Sequence, residues 1–111
     1  DADSDGPTAI TLENCILDGF YALHVLGSAT ATMRGGALNA SYACAYLRGI
    51  EPSTAAATLI GTVFIPAMHT IDCAPGTTIN IMYCYSSSVG SMIVEGKLNN
   101  QGSYGFGLPD V

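Results

Sequence analysis

Ala9-Ile-Thr-Leu-Glu-Asn-Cys15, Thr30-Ala-Thr-Met-Arg-Gly-Gly36, Ala56-Ala-Thr-Leu-Ile-Gly-Thr62 and Thr78-Ile-Asn-Ile-Met-Tyr-Cys84 are the stretches whose comparison decides the fold. They can be laid over one another at intervals of about 21, 26 and 22 residues. Self-similarity at such a period marks a fold built from stacked units. In this register Ile10, Ala31, Ala57 and Ile79 form one apolar column, and Leu12, Met33, Leu59 and Ile81 form the next. Thr11, Thr32, Thr58 and Asn80 fall between them. Successive strand residues point to opposite faces, so the apolar columns are predicted inside and the polar column outside.

Each unit continues through a turn into a second apolar stretch: Leu17 to Leu26, Leu38 to Leu47, and Phe64 to Ile71, with Met92-Ile-Val94 closing the series. Two strands in about 22 residues make one coil of a solenoid, whose inward face is buried on its neighbours. The expected architecture is all-β: a right-handed parallel β-helix of about three to four coils. The longer second interval holds Gly49-Ile-Glu-Pro-Ser-Thr54, a corner loop in which Pro52 would interrupt a ladder. The spacing of the second strands between coils two and three is left open at 24, 25 or 26 residues. Residues 1–8 read as an acidic N-terminal segment, 9–98 as the β-helix and 99–111 as a glycine-rich tail carrying Tyr104 and Phe106. The tail is expected to leave the solenoid and to cap its open end, pack on a sister chain or stay mobile.

The chain of 111 residues is 49% hydrophobic, enough for one small domain with a core. Its only basic residues are Arg34, Arg48 and Lys97, and its net charge is -6. Such a charge repels phosphate backbones and anionic lipid surfaces, which argues against nucleic-acid and membrane partners. No apolar run approaches the roughly 18 to 20 residues of a spanning helix, and no signal peptide is visible. Because residue 1 is Asp, the sequence reads as a processed product, an edited chain or a domain of a longer protein. Cys15, Cys44, Cys73 and Cys84 lack any CxxC pair and are expected to be buried free thiols, although their even number would suit disulfides.

The runs ITLENCILDGFYALHVLGS (residues 10–28) and ATMRGGALNASYACAYLRG (residues 31–49) resemble coils of the pectin-lyase-like right-handed parallel β-helices. The resemblance covers about Thr8 to Asn99. It implies a place among polysaccharide lyases, glycoside hydrolases, adhesins and phage tailspikes or appendages, and it rests on coil periodicity rather than on a catalytic motif.

Enzymes of this architecture use clustered acids, which makes Asp18, Asp72 and Glu95 the candidate catalytic residues, with Glu13, Arg34 and Arg48 considered beside them. Hydrolysis needs two carboxyl groups about 5 to 9.5 Å apart. The register offers no such pair, because Glu13 falls over Arg34 and Asp18 over Asn39. Asp18-Gly19 also reads as a turn. His24 and His69 occupy similar places in coils one and three, two coils apart and too distant for one metal ion, so neither a metal site nor a cofactor is expected. Asp1-Ala-Asp-Ser-Asp5 resembles half of a calcium loop but has Leu12 where the distal glutamate belongs, and reads as a solvated terminus. Asn39-Ala-Ser41 matches a glycosylation sequon, which matters only in a secreted eukaryotic protein. Outward-facing Tyr21, Tyr42, Tyr83 and Tyr85 are the candidate ligand-binding residues, since tyrosine suits interfaces and sugar stacking.

A short stack has open ends and needs caps, a longer parent or partners. Together with this, the resemblance implies first a structural and receptor-binding segment of a phage tailspike, appendage or surface adhesin, homotrimeric as in the tailspikes the chain resembles, contacting surface polysaccharide, on a virion or at the cell surface. A polysaccharide hydrolase or lyase module is the alternative. An antiparallel, disulfide-linked sandwich is the third, with only Asp18-Gly19 as a hairpin signal.

Overall fold

The computed structural model describes residues 8–48 and 55–106, all of them strands and turns. One sheet collects the first strand of every coil: β1 (Thr8–Glu13), β3 (Ala29–Arg34), β5 (Ala56–Ile60), β8 (Thr78–Met82) and β11 (Lys97–Gln101), adjacent in that order. Every pairing in it is parallel. The second sheet contains β2 (Ile16–Leu26), β4 (Ala37–Arg48), β6 (Val63–Pro66), β7 (His69–Cys73), β9 (Tyr85–Ser86) and β10 (Ser91–Val94). Long β4 pairs with β2 on one side; on the other, Ala37 to Ala40 pair with β6 and Ala43 to Leu47 with β7. The second stretch of each coil is thus continuous in coils one and two and broken in coils three and four. The result is a parallel β-solenoid of about four turns.

The columns expected from the sequence are the observed register. Ile10, Ala31, Ala57 and Ile79 are partners across successive coils, as are Leu12, Met33, Leu59 and Ile81. From coil two onward their side chains are buried in one core with Leu23, Val25, Leu47, Phe64 and Ile71. Each of the larger of these side chains, such as Met33, Leu59 or Phe64, contributes roughly 1.5–3 kcal/mol when taken from water. The polar column lies outside and is stitched by its own amides: Asn80 Nδ2 donates to Thr58 Oγ1 (3.3 Å), and Asn99 Nδ2 donates to Asn80 Oδ1 (2.7 Å). Coils two and three are offset by 26 residues in both sheets, for example Thr30 with Ala56 and Ala43 with His69, which settles the open spacing.

Between the two sheets every coil turns on one left-handed residue: Asn14 (φ 52°), Gly35 (67°), Gly61 (62°), Tyr83 (54°) and Gly102 (68°). The ladder runs through this corner unbroken, since Asn14, Gly35, Gly61 and Tyr83 donate their N–H groups to Arg34, Ile60, Met82 and Gln101 carbonyls at 2.8–2.9 Å. The following residue packs against the coil below. A Cβ on Gly36 would lie 2.0 Å from the Cys15 carbonyl oxygen, so only glycine fits there.

The stack continues past residue 98, where the composition suggested that it ended. Leu98, Asn99 and Asn100 pair in register with Ile79, Asn80 and Ile81, because the apolar-polar alternation persists into Leu98-Asn99 beneath the change in composition. Asn100 then ends the Leu12 column with a polar group, accepting from the Ser103 N–H (3.1 Å) and donating to the Ser103 carbonyl (3.4 Å). Tyr104 bridges to Tyr85, and Phe106 is buried against Phe64 at a centroid distance of 4.9 Å. The described part of the tail is therefore a cap on the final coil. Asp1 to Asp5, Gly49 to Thr54 and the end of the tail lie outside the described residues.

Two corner glycines separate backbone conformation from space. Gly61→Ala meets no atom within 4 Å and should lower unfolding stability by about 1 kcal/mol, the left-handed penalty alone. Gly36→Ala adds the collision with Cys15 and should cost about 3 kcal/mol or more. Urea denaturation of the two variants checks the order.

Candidate functional site

The outer side of the second sheet carries a cluster of aromatic rings drawn from three coils. Its centre depends on a β-bulge. Gly19 pairs with Ala40 but Tyr21 pairs with Ala43, so Ser41 and Tyr42 together oppose the single residue Phe20. Such an extra residue redirects nearby side chains. Here Tyr42 stacks on Phe20, with centroids 5.0 Å apart and planes 14° apart. Tyr21 stacks on Tyr46 at 4.2 Å and 26°, and meets Tyr42 edge-on at 5.5 Å. His24 lies 5.0 Å from Tyr46, and His69 lies 4.8 Å from Tyr42. Ala43, in register between Tyr21 and His69, is fully buried although it is not part of the core. Phe20 remains 58% exposed and the tyrosines are half-buried, so the cluster is a surface rather than a pocket.

Arg48 closes one end. Its guanidinium carbon sits 4.9 Å from the Tyr46 ring centroid, and its Nε donates to the Tyr46 hydroxyl. One Nη lies 4.0 Å from an oxygen of buried Asp72. The pKa of Arg48 is raised, first by the bond to Tyr46 and further by the charges of Tyr46, Asp72 and Glu95, with partial desolvation opposing. That of Tyr21 is also raised, by desolvation first, then by Tyr46 and Tyr42.

The four candidate tyrosines separate into two groups. Tyr21 and Tyr42 share the cluster. Tyr83 and Tyr85 lie at the corner of the last coils, where Tyr85 and Tyr104 approach to 4.9 Å and Gln101 donates to the Tyr83 hydroxyl (3.3 Å). Sequence reasoning missed Phe20 and Tyr46; a search for aromatics within one coil length of Tyr21 and Tyr42 finds both.

The candidate acids have different surroundings. Asp18 is exposed, in register with Asn39, which in turn faces Ile65. Asp72 is buried in register between Tyr46 and Ile93. Glu95 follows β10 and its N–H donates to the Cys73 carbonyl (2.9 Å). None has another acid as its register partner. The histidines are not equivalent, a correction to the sequence reading: His24 pairs with Tyr46 and His69 with Ala43, because the bulge and the broken third coil shift the alignment. Among the described residues no three His, Cys, Asp or Glu side chains group as metal ligands. Glu13 and Arg34 are register partners, as expected.

Comparison with protein-family models, with characterised proteins and with solved structures gives no match. The fold and the site therefore carry the functional argument by themselves.

The four cysteines are free, with Cys44, Cys73 and Cys84 buried and Cys15 half-buried. Burial pushes the Cys44 thiol up to about 11 and raises those of Cys73 and Cys84. A raised thiol pKa means that the unfolded chain loses its protons first as pH climbs. The thiols' contribution to stability should therefore be constant below about pH 9 and fall between about pH 9 and 11. Denaturant titrations across that range check this, with Tyr21 contributing in the same direction at the alkaline end.

Proposed function

We propose that this solenoid is a structural and receptor-binding segment of a phage tailspike, appendage or surface adhesin, with surface polysaccharide as the ligand. The observation that carries the reading is the meeting of Phe20, Tyr21, Tyr42 and Tyr46 on one outer face of a rigid parallel sheet. Aromatic side chains with polar tips combine apolar area with hydrogen-bonding capacity at little conformational cost, which suits the mixed surface of a sugar. A sheet stacked in register holds such rings more firmly than a loop does.

The working state we assign is a homotrimer on a virion or at a cell surface. The support is architectural: the first coil leaves Ile10, Leu12 and Leu17 only partly covered, and Ile16 is 76% exposed. Solenoid ends of this kind are stabilised by further contacts.

A glycan microarray probed with the purified chain tests the binding. Tyr42→Ala should weaken retained binding about tenfold, equivalent to about 1.4 kcal/mol, while Asp18→Asn on the other half of β2 leaves it unchanged. Light scattering on the same sample should give about three times 11.4 kDa. A monomer that releases reducing ends or unsaturated product would favour the enzymatic alternative instead.

A further inference from the structure

We propose that the aromatic cluster selects uncharged hexose polymers and discriminates against uronate-bearing ones. The inference rests on the polysaccharide reading above and adds the chemical class of the ligand. Three side chains with formal charge set the field at one end of the cluster. Arg48 supplies the positive charge; an oxygen of Asp72 lies 4.0 Å from it, and Glu95 stands one residue past Val94 in the Leu47–Cys73–Val94 column just as Arg48 stands one residue past Leu47. The chain as a whole, these three side chains included, carries a net charge of -6. A carboxylate arriving at Arg48 would thus meet one guanidinium already offset by two carboxylates.

The form of the Arg48 site points the same way. A guanidinium kept for an anionic ligand presents its paired N–H groups to it. Here Nε is engaged by the Tyr46 hydroxyl, one face lies over the Tyr46 ring and one Nη faces Asp72. What remains is a side chain 46% exposed, with donors left for neutral hydroxyls. Beside it stand Phe20, Tyr21 and Tyr42, whose rings offer apolar contact to the C–H edges of a pyranose ring. His24 and His69 are the other titratable groups in the cluster besides the tyrosines.

Affinity electrophoresis of the full chain at pH 7.5 and about 0.15 M salt, through gels containing either neutral glucans and galactans or polygalacturonate and alginate, tests this. Binding to at least one neutral polymer should exceed that to either uronate polymer fivefold or more. Glu95→Gln, at an exposed position with little bearing on folding, should narrow the gap about threefold, as expected for one partly screened charge. Tighter binding to a uronate polymer than to any neutral one would overturn the charge argument and leave the polysaccharide reading standing. An unchanged ratio in Glu95→Gln would overturn it as well. Retardation by none of the polymers, in a chain whose thermal unfolding stays cooperative, would remove the polysaccharide reading and this inference with it.

Discussion

The structure depends on a hydrogen-bonded ladder that does not stop at its corners. In a parallel solenoid each coil must repeat the path of the one beneath it, and a residue between two sheets can keep pairing only if its backbone reverses within one position. The left-handed conformation does this, and all five corners use it. Glycine takes that conformation freely and asparagine tolerates it, whereas other residues pay about 1–2 kcal/mol. Three of the five corners have glycine, one has Asn14 and the remaining one has Tyr83. The tyrosine is retained against this preference, with its ring lying over Gly102, where a Cβ would approach to 2.7 Å.

Once the corner is fixed, the two-residue alternation of the strands determines what is inside. This is why the first sheet was legible from the sequence. Thr11, Thr32, Thr58 and Asn80 stand between two apolar columns, and a slip of one residue would turn every apolar side chain outward. The second sheet was less legible because its alternation is interrupted. Ser41 and Tyr42 opposing Phe20 shift the count by one, and the break between β6 and β7 removes the continuity that β2 and β4 retain. Apolar runs such as Leu38 to Leu47 have the same composition with or without a bulge. The end of the stack was hidden differently: residues 99–106 look like a flexible tail by composition, yet Asn100 and Phe106 occupy defined positions in the cap.

The candidate site shows the same division. That Tyr21 and Tyr42 face outward followed from the pattern. Their meeting did not, since it is the bulge that sets Tyr42 beside both Phe20 and Tyr21. Tyr83 and Tyr85 matched the same description in sequence, but Tyr85 lies with Tyr104 and Tyr83 with Gln101 and Gly102. Residues sharing a column are predictable from coil length, whereas residues brought together across a bulge are not.

The aromatic cluster serves the fold and the surface at once, and these roles constrain each other. Ring pairs between neighbouring coils contribute about 0.5–1.5 kcal/mol beyond their buried area, which helps a short stack whose outermost described coils have one described neighbour each. Phe20 with Tyr42, and Tyr21 with Tyr46, both join coil one to coil two, at the edge of the described stack. The rings that could contact a ligand are therefore also those that hold the outermost described coil in place. A ligand bound across both coils would bridge the same junction and stabilise the folded chain by mass action. Loss of one ring would loosen the first coil and remove a binding contact together. A surface of this kind gains rigidity for recognition from the interactions that close the fold.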